Sequence, residues 1–464
     1  MTAAIQLAGV ALVVVLALAM LRPAWRLPAL AVGLLGIPGN VDNLVPQMLL
    51  DPNGLPDATA PAVSVVDLLL IWAVILTLRE GRRTSPLVRR ILIGALVLWA
   101  LASATALIAL AAGVEPTAVV RGIIVFGRIP ALLFLAGALR EEIGDGSVLA
   151  FAVALGGIAL AGNGIYTTLT SGLDRFTAST FGRNGFAIVL VLTTLISAGL
   201  AFRTWSWLRP LTLRSVVPLG AVLVAATCLF GSAATGTRMS LIVLSAACLI
   251  AAVTSPSPFD RRSLTRMAIV AAAIVLVVGS SAVLSSGGLR TVSLVTKPGT
   301  TVDAVIEPDT VAEGSEVRSR NQFWSLAIQM AEAHPITGVG PFQWNIQRYI
   351  LDPKGPKVVA DSHNAYLQIA AEYGIPALLL YGLILAAALF VIVRGAWRGR
   401  LTRREGWAAA AIATAALVYP LDELTNSHLF NVRNGAFGWL LIAVALVMSS
   451  GAWERVDRED RRAA

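Results

Sequence analysis

Charged residues are scarce in this 464-residue sequence, making up 14% of it, where a soluble globular protein carries about 25%. Apolar residues take their place at 56%, above the roughly 45–50% of soluble chains. That balance excludes a soluble enzyme, a coiled coil and a disordered tail. Cysteine is nearly absent: Cys228 and Cys248 both fall inside apolar runs, so neither a disulfide framework nor a zinc site can be read from them, and redox chemistry is not expected. There are three histidines, none clustered with carboxylates at metal-ligand spacing, and the outer acidic residues show no D-x-D. No G-x-S-x-G, Walker A or Cys-His arrangement occurs, which removes the serine-hydrolase, P-loop and thiol-enzyme classes. No internal repeat or low-complexity tract is visible, and no metal or cofactor is expected.

What the chain does have is a succession of apolar runs near the ~20 residues needed to cross a bilayer. About thirteen can be traced, from Ala3–Met20, through Leu27 to about Leu44 and Ala62–Leu78, to Trp407–Tyr419 and Gly435–Met448. The first lacks the basic flank of a signal peptide and leads directly into the next, so it reads as a span. The expected fold class is all-α: a polytopic membrane helix bundle of about 12–13 spans with a long, partly helical extracytoplasmic loop. Residues 1–283 form an N-terminal bundle of about ten spans, 284–373 the long loop, 374–450 the C-terminal spans and 451–464 a charged cytoplasmic tail.

Orientation follows from the tendency of cytoplasmic loops to retain Lys and Arg. Seven short segments (22–26, 79–90, 140–147, 203–214, 255–266, 394–406 and 451–464) hold 23 of the 36 basic residues and alternate with the remaining loops. Those segments are read as cytoplasmic. The segments 38–61, 114–118, 170–184, 232–238, 284–373 and 420–434 then lie outside, and with thirteen spans so does the N-terminus. The long loop carries nine acidic and seven basic residues, so the formal net charge of +9 comes from the cytoplasmic anchors. Basicity here sets orientation, and no nucleic acid is expected as a partner.

Basic residues outside those seven segments carry more information. Arg175 and Arg183 flank the outer loop LDRFTASTFGRNG, and Arg238 closes the next outer turn, SAATGTRMS. Each alone could be a snorkelling anchor. Two short outer turns rich in Gly, Ser and Thr favour a second reading, in which guanidinium forks grip a phosphate or pyrophosphate bidentately. Arg121 and Arg128 share a face of one span; Arg121 can snorkel outward, and Arg128 is expected either to pair with a carboxylate such as Asp67 or to line a path.

His334, His363 and His428 all fall on the outer side. His363 stands in VVADSHNAYLQIAAEYG, where Asp361 or Ser362 is expected to cap a helix. A histidine in that first turn feels the positive helix end, which favours neutral imidazole, a base-like setting; a purely structural loop histidine is the alternative. Upstream, an amphipathic helix is expected over about Arg318–Ala333, with Arg320, Trp324, Ala327 and Ala331 at helical spacing. Trp324 reads as a packing anchor. The following GVG, Gly338 to Gly340, has no strand before it and is not a dinucleotide fingerprint.

Three stretches together resemble a known family. Arg320 four residues before Trp324, then HPITGVGPFQW, then SHNAYLQIAAEYGIPALLLYGLIL match the core pattern of the O-antigen ligase and O-antigen polymerase superfamily; STFGRNGFAIVL and TGTRMSLIVL resemble its upstream segments. About a quarter of the chain is covered, in family order. The resemblance implies a polytopic glycosyltransferase of the C type in a bacterial cytoplasmic (inner) membrane, serving cell-envelope polysaccharide or lipopolysaccharide biosynthesis. Its partners would be an undecaprenyl-pyrophosphate-linked glycan donor, a glycan or glycolipid acceptor and membrane lipid. In that family the outer arginines hold the donor pyrophosphate and the loop histidine assists the acceptor hydroxyl, without metal. Carried over, Arg238 falls on the turn arginine, His363 and Asn364 on the HN pair, Arg320 on the arginine before Trp324, and either Arg175 or Arg183 on the remaining arginine. The expected catalytic residues are therefore His363 and Arg238, and the expected substrate-binding residues Arg175, Arg183, Arg238, Arg320 and Asn364. Two rivals are a lipid-linked oligosaccharide flippase or exporter, which Arg128 would serve, and a polyprenyl-monophosphate-dependent glycosyltransferase with Asp42 as base. Ligase and polymerase are not separated by these motifs.

Overall fold

The computed structural model describes residues 2–37, 41, 43–50, 56–171, 182–204, 216–235, 237, 244, 316–353, 361–397 and 406–463. Within them the chain is a bundle of α-helices: α1 (Thr2–Ala19), α2 (Arg26–Gly36), α3 (Val65–Arg79), α4 (Pro86–Ala111), α5 (Pro116–Ala138), the single-turn α6 (Arg140–Ile143), α7 (Ser147–Ser171), α8 (Gly182–Thr204) and α9 (Val216–Ala234). The second half supplies α10 (Glu316–Ala333), α11 (Trp344–Leu351), α12 (Ala365–Tyr373), α13 (Ile375–Trp397), α14 (Gly406–Asp422) and α15 (Val432–Ala463). Among the described residues six helices are long and apolar enough to cross a membrane: α4, α5, α7, α8, α13 and the first part of α15; three shorter apolar helices lie in α1, α9 and α14. The protein is a multi-pass membrane protein. Two of the thirteen expected spans, at 239–253 (Leu244 apart) and 267–283, lie outside the described residues, as do Asp42 and Cys248.

The second expected span is shorter than its apolar run. α2 has 11 residues, about 16 Å at 1.5 Å per residue, and Pro38-Gly39 follow it, where proline cannot continue the ladder. Leu44 instead belongs to β1 (Asn43–Leu50), which pairs antiparallel with β2 (Pro56–Ser64), Gln47 opposite Ala60. This hairpin is an addition to the helical bundle. Its last residue, Ser64, starts α3 through a capping box: Ser64 Oγ accepts from Asp67 N and Asp67 Oδ2 accepts from Ser64 N.

The centre of the bundle is α15, whose Arg433–Ser450 stretch is buried throughout, with α5, α13 and α14 packed against it. In lipid, helices associate through close packing of small residues. Gly438 of α15 meets α14 so closely that a Cβ there would lie 2.2 Å from the Tyr419 ring. At the rim, α13 turns Leu379, Leu383 and Phe390 outward, and α4 does the same with Ile93, Val97 and Leu107, as lipid-facing surfaces should.

Polar contacts gather at two ends of this bundle. At one, Arg26 donates to Met20 O (3.0 Å), to Thr77 Oγ1 (2.9 Å) and to Glu80, while Arg82 bridges Glu80 and Glu142. These contacts tie together three segments that charge counting assigned to one side, 22–26, 79–90 and 140–147. At the other end, segments assigned to the opposite side meet: Asn184 with Asn426, Arg320 with Thr425 and Asn364 with Leu424.

Between the ends, Arg128 donates to Asp67 through Nε (2.7 Å) and Nη2 (3.0 Å), both side chains buried. Arg128 thus takes the first of its two expected roles, charge compensation between α5 and α3. Arg121 departs from its expected outward reach. It points into the bundle, where Nη2 donates to Phe430 O (3.0 Å) and the guanidinium carbon lies 4.0 Å from the Phe342 ring centroid. A desolvated guanidinium stacked on an aromatic face keeps part of the compensation it would otherwise seek in water.

Candidate active site

His363 sits where α12 begins, but outside it. Asn364 is the N-cap, its Oδ1 accepting from Leu367 N at 3.0 Å, in place of the expected Asp361 or Ser362. His363 therefore precedes the cap, with φ 54° in the left-handed region, so the helix end is not what governs its ring. Asp361 does: Oδ1 accepts from the His363 backbone N (2.8 Å) and lies 3.1 Å from Nδ1. Burial would raise the Asp361 carboxyl, but the hydrogen bonds and charge of His363, with the charge of His428, outweigh it and hold the group below the usual carboxylate range. Among the described residues no protein group partners Nε2.

The turn that carries His363 is fixed from several sides. Ser362 N donates to Gln368 Oε1 (3.1 Å), Asn364 N to Ser427 Oγ (3.1 Å) and Asn364 Nδ2 to Leu424 O (3.0 Å). Both polar ends of the Asn364 side chain are thus occupied within the protein. Phe323 of α10 lies 6.0 Å from the His363 ring, and Arg320, one turn earlier, donates to Thr425 O at 2.9 Å.

The other wall comes from the loop between α14 and α15, LDELTNSHLFNVRN. His428 Nε2 lies 2.7 Å from Asp422 Oδ2, and Nδ1 lies 3.3 Å from Asn434 Nδ2. Burial alone would lower the His428 pKa; Asp422, with Glu423 and Asp361, raises it instead. Glu423 is pushed up to about 7 by burial, against the pull of His428 and of Leu429 N. Asn426 links Asp422 Oδ1 (3.1 Å) to Asn184 Nδ2 (3.1 Å), and Asn434 fills the space in front of Gly185, where a Cβ would lie 1.9 Å from its Nδ2. The GRNG segment at the head of α8 is therefore built into the same cluster. Sequence reading grouped this loop with the expected outer segments but drew no site residue from it except to note His428. The available signal was its run of Asp, Glu, Asn, Ser and His between two apolar stretches.

Arg183 belongs to the first turn of α8, next to Asn184; Arg175 and Arg238 lie outside the described residues. The turn leading to Arg238 is described as far as Thr237, which is buried, and Ser232 of that end of α9 donates to Ala187 O of α8 at 3.3 Å. Backbone on the approach to Arg238 thus packs beside the GRNG turn.

The GVG loop is stapled to α12. Val339 N and Gly340 N donate to Ala371 O (2.8 Å) and Glu372 O (3.1 Å), an approach that only glycine permits at 338, where φ is +63° and a Cβ would lie 2.3 Å from the Glu372 carbonyl carbon. The Glu372 carboxylate accepts from Phe342 N (3.0 Å), Trp344 N (3.2 Å) and Gln368 Nε2 (3.3 Å). Burial pushes it up to about 7 in spite of those donors.

Residues 223–382 match the family model described as O-antigen ligase. Over that stretch, about a third of the chain, the protein is similar to the O-antigen ligase family, which supports a place in the ligase and polymerase superfamily. The matched stretch holds Arg238, Arg320, His363 and Asn364, and it ends in α13. No curated protein matches the chain. That similarity supports ligase-like glycan transfer in general, with a lipid-linked glycan and an acceptor as partners in general. The residues of the α14–α15 loop lie beyond the ligase match, yet they form half of the cluster around Asp361 and His363.

Proposed function

We propose that this O-antigen ligase-like protein transfers or polymerises saccharide chains carried on undecaprenyl pyrophosphate, at the extracytoplasmic face of a bacterial cytoplasmic membrane. The reaction is inverting and metal-independent. The acceptor hydroxyl oxygen attacks the anomeric carbon, the bond from that carbon to the pyrophosphate oxygen breaks, and the hydroxyl proton passes to His363 Nε2. Arg238, together with Arg175 or Arg183, carries the charge that grows on the departing pyrophosphate, because forked guanidinium donors supply what a divalent ion otherwise would. Arg320 binds substrate from the head of α10, and Asn364 serves the site by holding the His363 turn.

The observation that carries this reading is the Asp361–His363 pair. A carboxylate on Nδ1 fixes the tautomer and compensates the charge that the ring acquires on taking a proton at Nε2. Arg128, the residue that a flippase would have used, is engaged with Asp67.

The test is reconstitution with a synthetic undecaprenyl-pyrophosphate oligosaccharide, with and without candidate acceptors, followed by product sizing. A ladder identifies a polymerase, and a single addition to a non-glycan lipid identifies a ligase. His363→Ala is expected to lower turnover by roughly 10²–10⁴-fold with the fold intact. Turnover with polyprenyl-monophosphate donors alone would overturn the reading.

A further inference from the structure

α11 is built inside out. Its buried positions are Trp344, Asn345 and Arg348, the last completely enclosed, whereas Ile346, Ile350 and Leu351 are 41%, 61% and 46% exposed. A helix that hides an arginine and an asparagine while presenting isoleucine and leucine has the wrong polarity for water. It has the right one for a helix lying in the boundary of a bilayer, apolar face down.

Three further observations give the depth. Ile336, 71% exposed, lies in the turn before α11, and this turn abuts the start of a spanning helix: Ile375 N donates to Pro335 O at 2.8 Å, and a Cβ on Gly374 would lie 2.2 Å from Ile336 O. From Ile375 the lipid-facing row of α13 continues through Leu379 and Leu383. The loop leading into α11 is wedged between spans, since Cβ atoms on Gly340 and Gly122 would lie 2.9 Å from Ala109 and 2.6 Å from Pro341. The outward face of α10, by contrast, is mainly polar: Gln322, Ser325, Gln329 and Glu332 surround a single exposed isoleucine, Ile328.

We infer that α11 and the Ile336 turn lie embedded in the membrane interface at the site end of the bundle, with Ile346, Ile350 and Leu351 among lipid acyl chains and α10 facing water. The occupant of this apolar face is the bilayer, because the face continues the lipid-facing surface of α13. Trp344 anchors the buried side through Phe323, which also contacts His363. The embedded helix thus borders the approach from the lipid phase to that histidine.

The full-length protein, with Cys228 and Cys248 replaced by serine, would carry single bimane-labelled cysteines and be reconstituted in phosphatidylcholine vesicles with brominated acyl chains. Labels in Ile346→Cys and Ile350→Cys are expected to lose emission to the brominated lipid as strongly as a label in Leu383→Cys, and to be insensitive to aqueous iodide. A label in Gln329→Cys should behave in the opposite way. Quenching of the Ile350→Cys label by iodide would show a water-facing helix. Insensitivity to both quenchers would show that another segment or a second copy covers the face. Either result overturns the inference.

Discussion

Glu372 is the most economical point at which to disturb the site without touching a candidate catalytic group. Its two carboxylate oxygens divide three donors: Oε2 takes Phe342 N, and Oε1 takes Trp344 N and Gln368 Nε2. Glu372→Gln keeps the shape but leaves one oxygen. Whichever way the amide turns, one backbone N–H of the loop then faces an NH₂ group. A buried donor left unpaired costs about 1–3 kcal/mol. At a factor of ten per 1.4 kcal/mol, local opening becomes roughly 5–150-fold more frequent. Hydrogen exchange read by mass spectrometry on peptides spanning 338–348 should therefore accelerate by that factor at Phe342 or Trp344, with α14 and α15 unchanged. Transfer activity should fall with it, because α12 connects this staple to the His363 turn. Unaltered protection of the 338–348 peptide in a folded Glu372→Gln variant would refute the claim that this carboxylate holds the loop.

The buried Arg128–Asp67 pair should behave as an interdependent unit: Arg128→Ala is expected to cost about 3–5 kcal/mol by stranding Asp67, while Arg128→Met with Asp67→Leu should recover most of it in a thermal-melt assay. A double variant as unstable as the single one would count against charge compensation as the reason for the pair. Arg238→Lys should impair transfer nearly as much as Arg238→Ala, since an ammonium cannot reproduce a bidentate grip on pyrophosphate, and the same should hold for one of Arg175 and Arg183; full turnover with lysine at all three would make them surface anchors. Glu372 and Glu423 are each pushed up to about 7, and His428 is raised, so for all three the folded state holds the proton more tightly than the unfolded chain. For the two glutamates the resulting stabilisation is fully present below the unfolded values and is lost as pH rises through about 7, and His428 contributes in the same direction. The melting temperature should fall between pH 5 and pH 8, and Glu372→Gln or Glu423→Gln should flatten the slope; a rise over that interval would contradict the assignment.

Long apolar runs and the sorting of Lys and Arg were enough to establish a membrane bundle and the grouping of its loops, because the bilayer acts as a solvent on each segment separately. The motif order around Arg320 and His363 pointed to the family for a similar reason: the residues stand close together in the chain. Tertiary structure decided the rest. α2 stops at Gly36 where composition extended it to Leu44, since hydropathy does not register the chain's turn into a hairpin. Asn364 takes the cap because its amide can serve Leu367 N and Leu424 O together, a demand set by a loop 60 residues away. Arg121 turns inward because a carbonyl 309 residues later, at Phe430, and the Phe342 ring offer what the headgroup region otherwise would. His428 and Asp422 join the site only when α14 and α15 close against the head of α8. Local pattern reports the solvent that each segment prefers, whereas the partner of a buried charge is chosen by packing among helices distant in sequence.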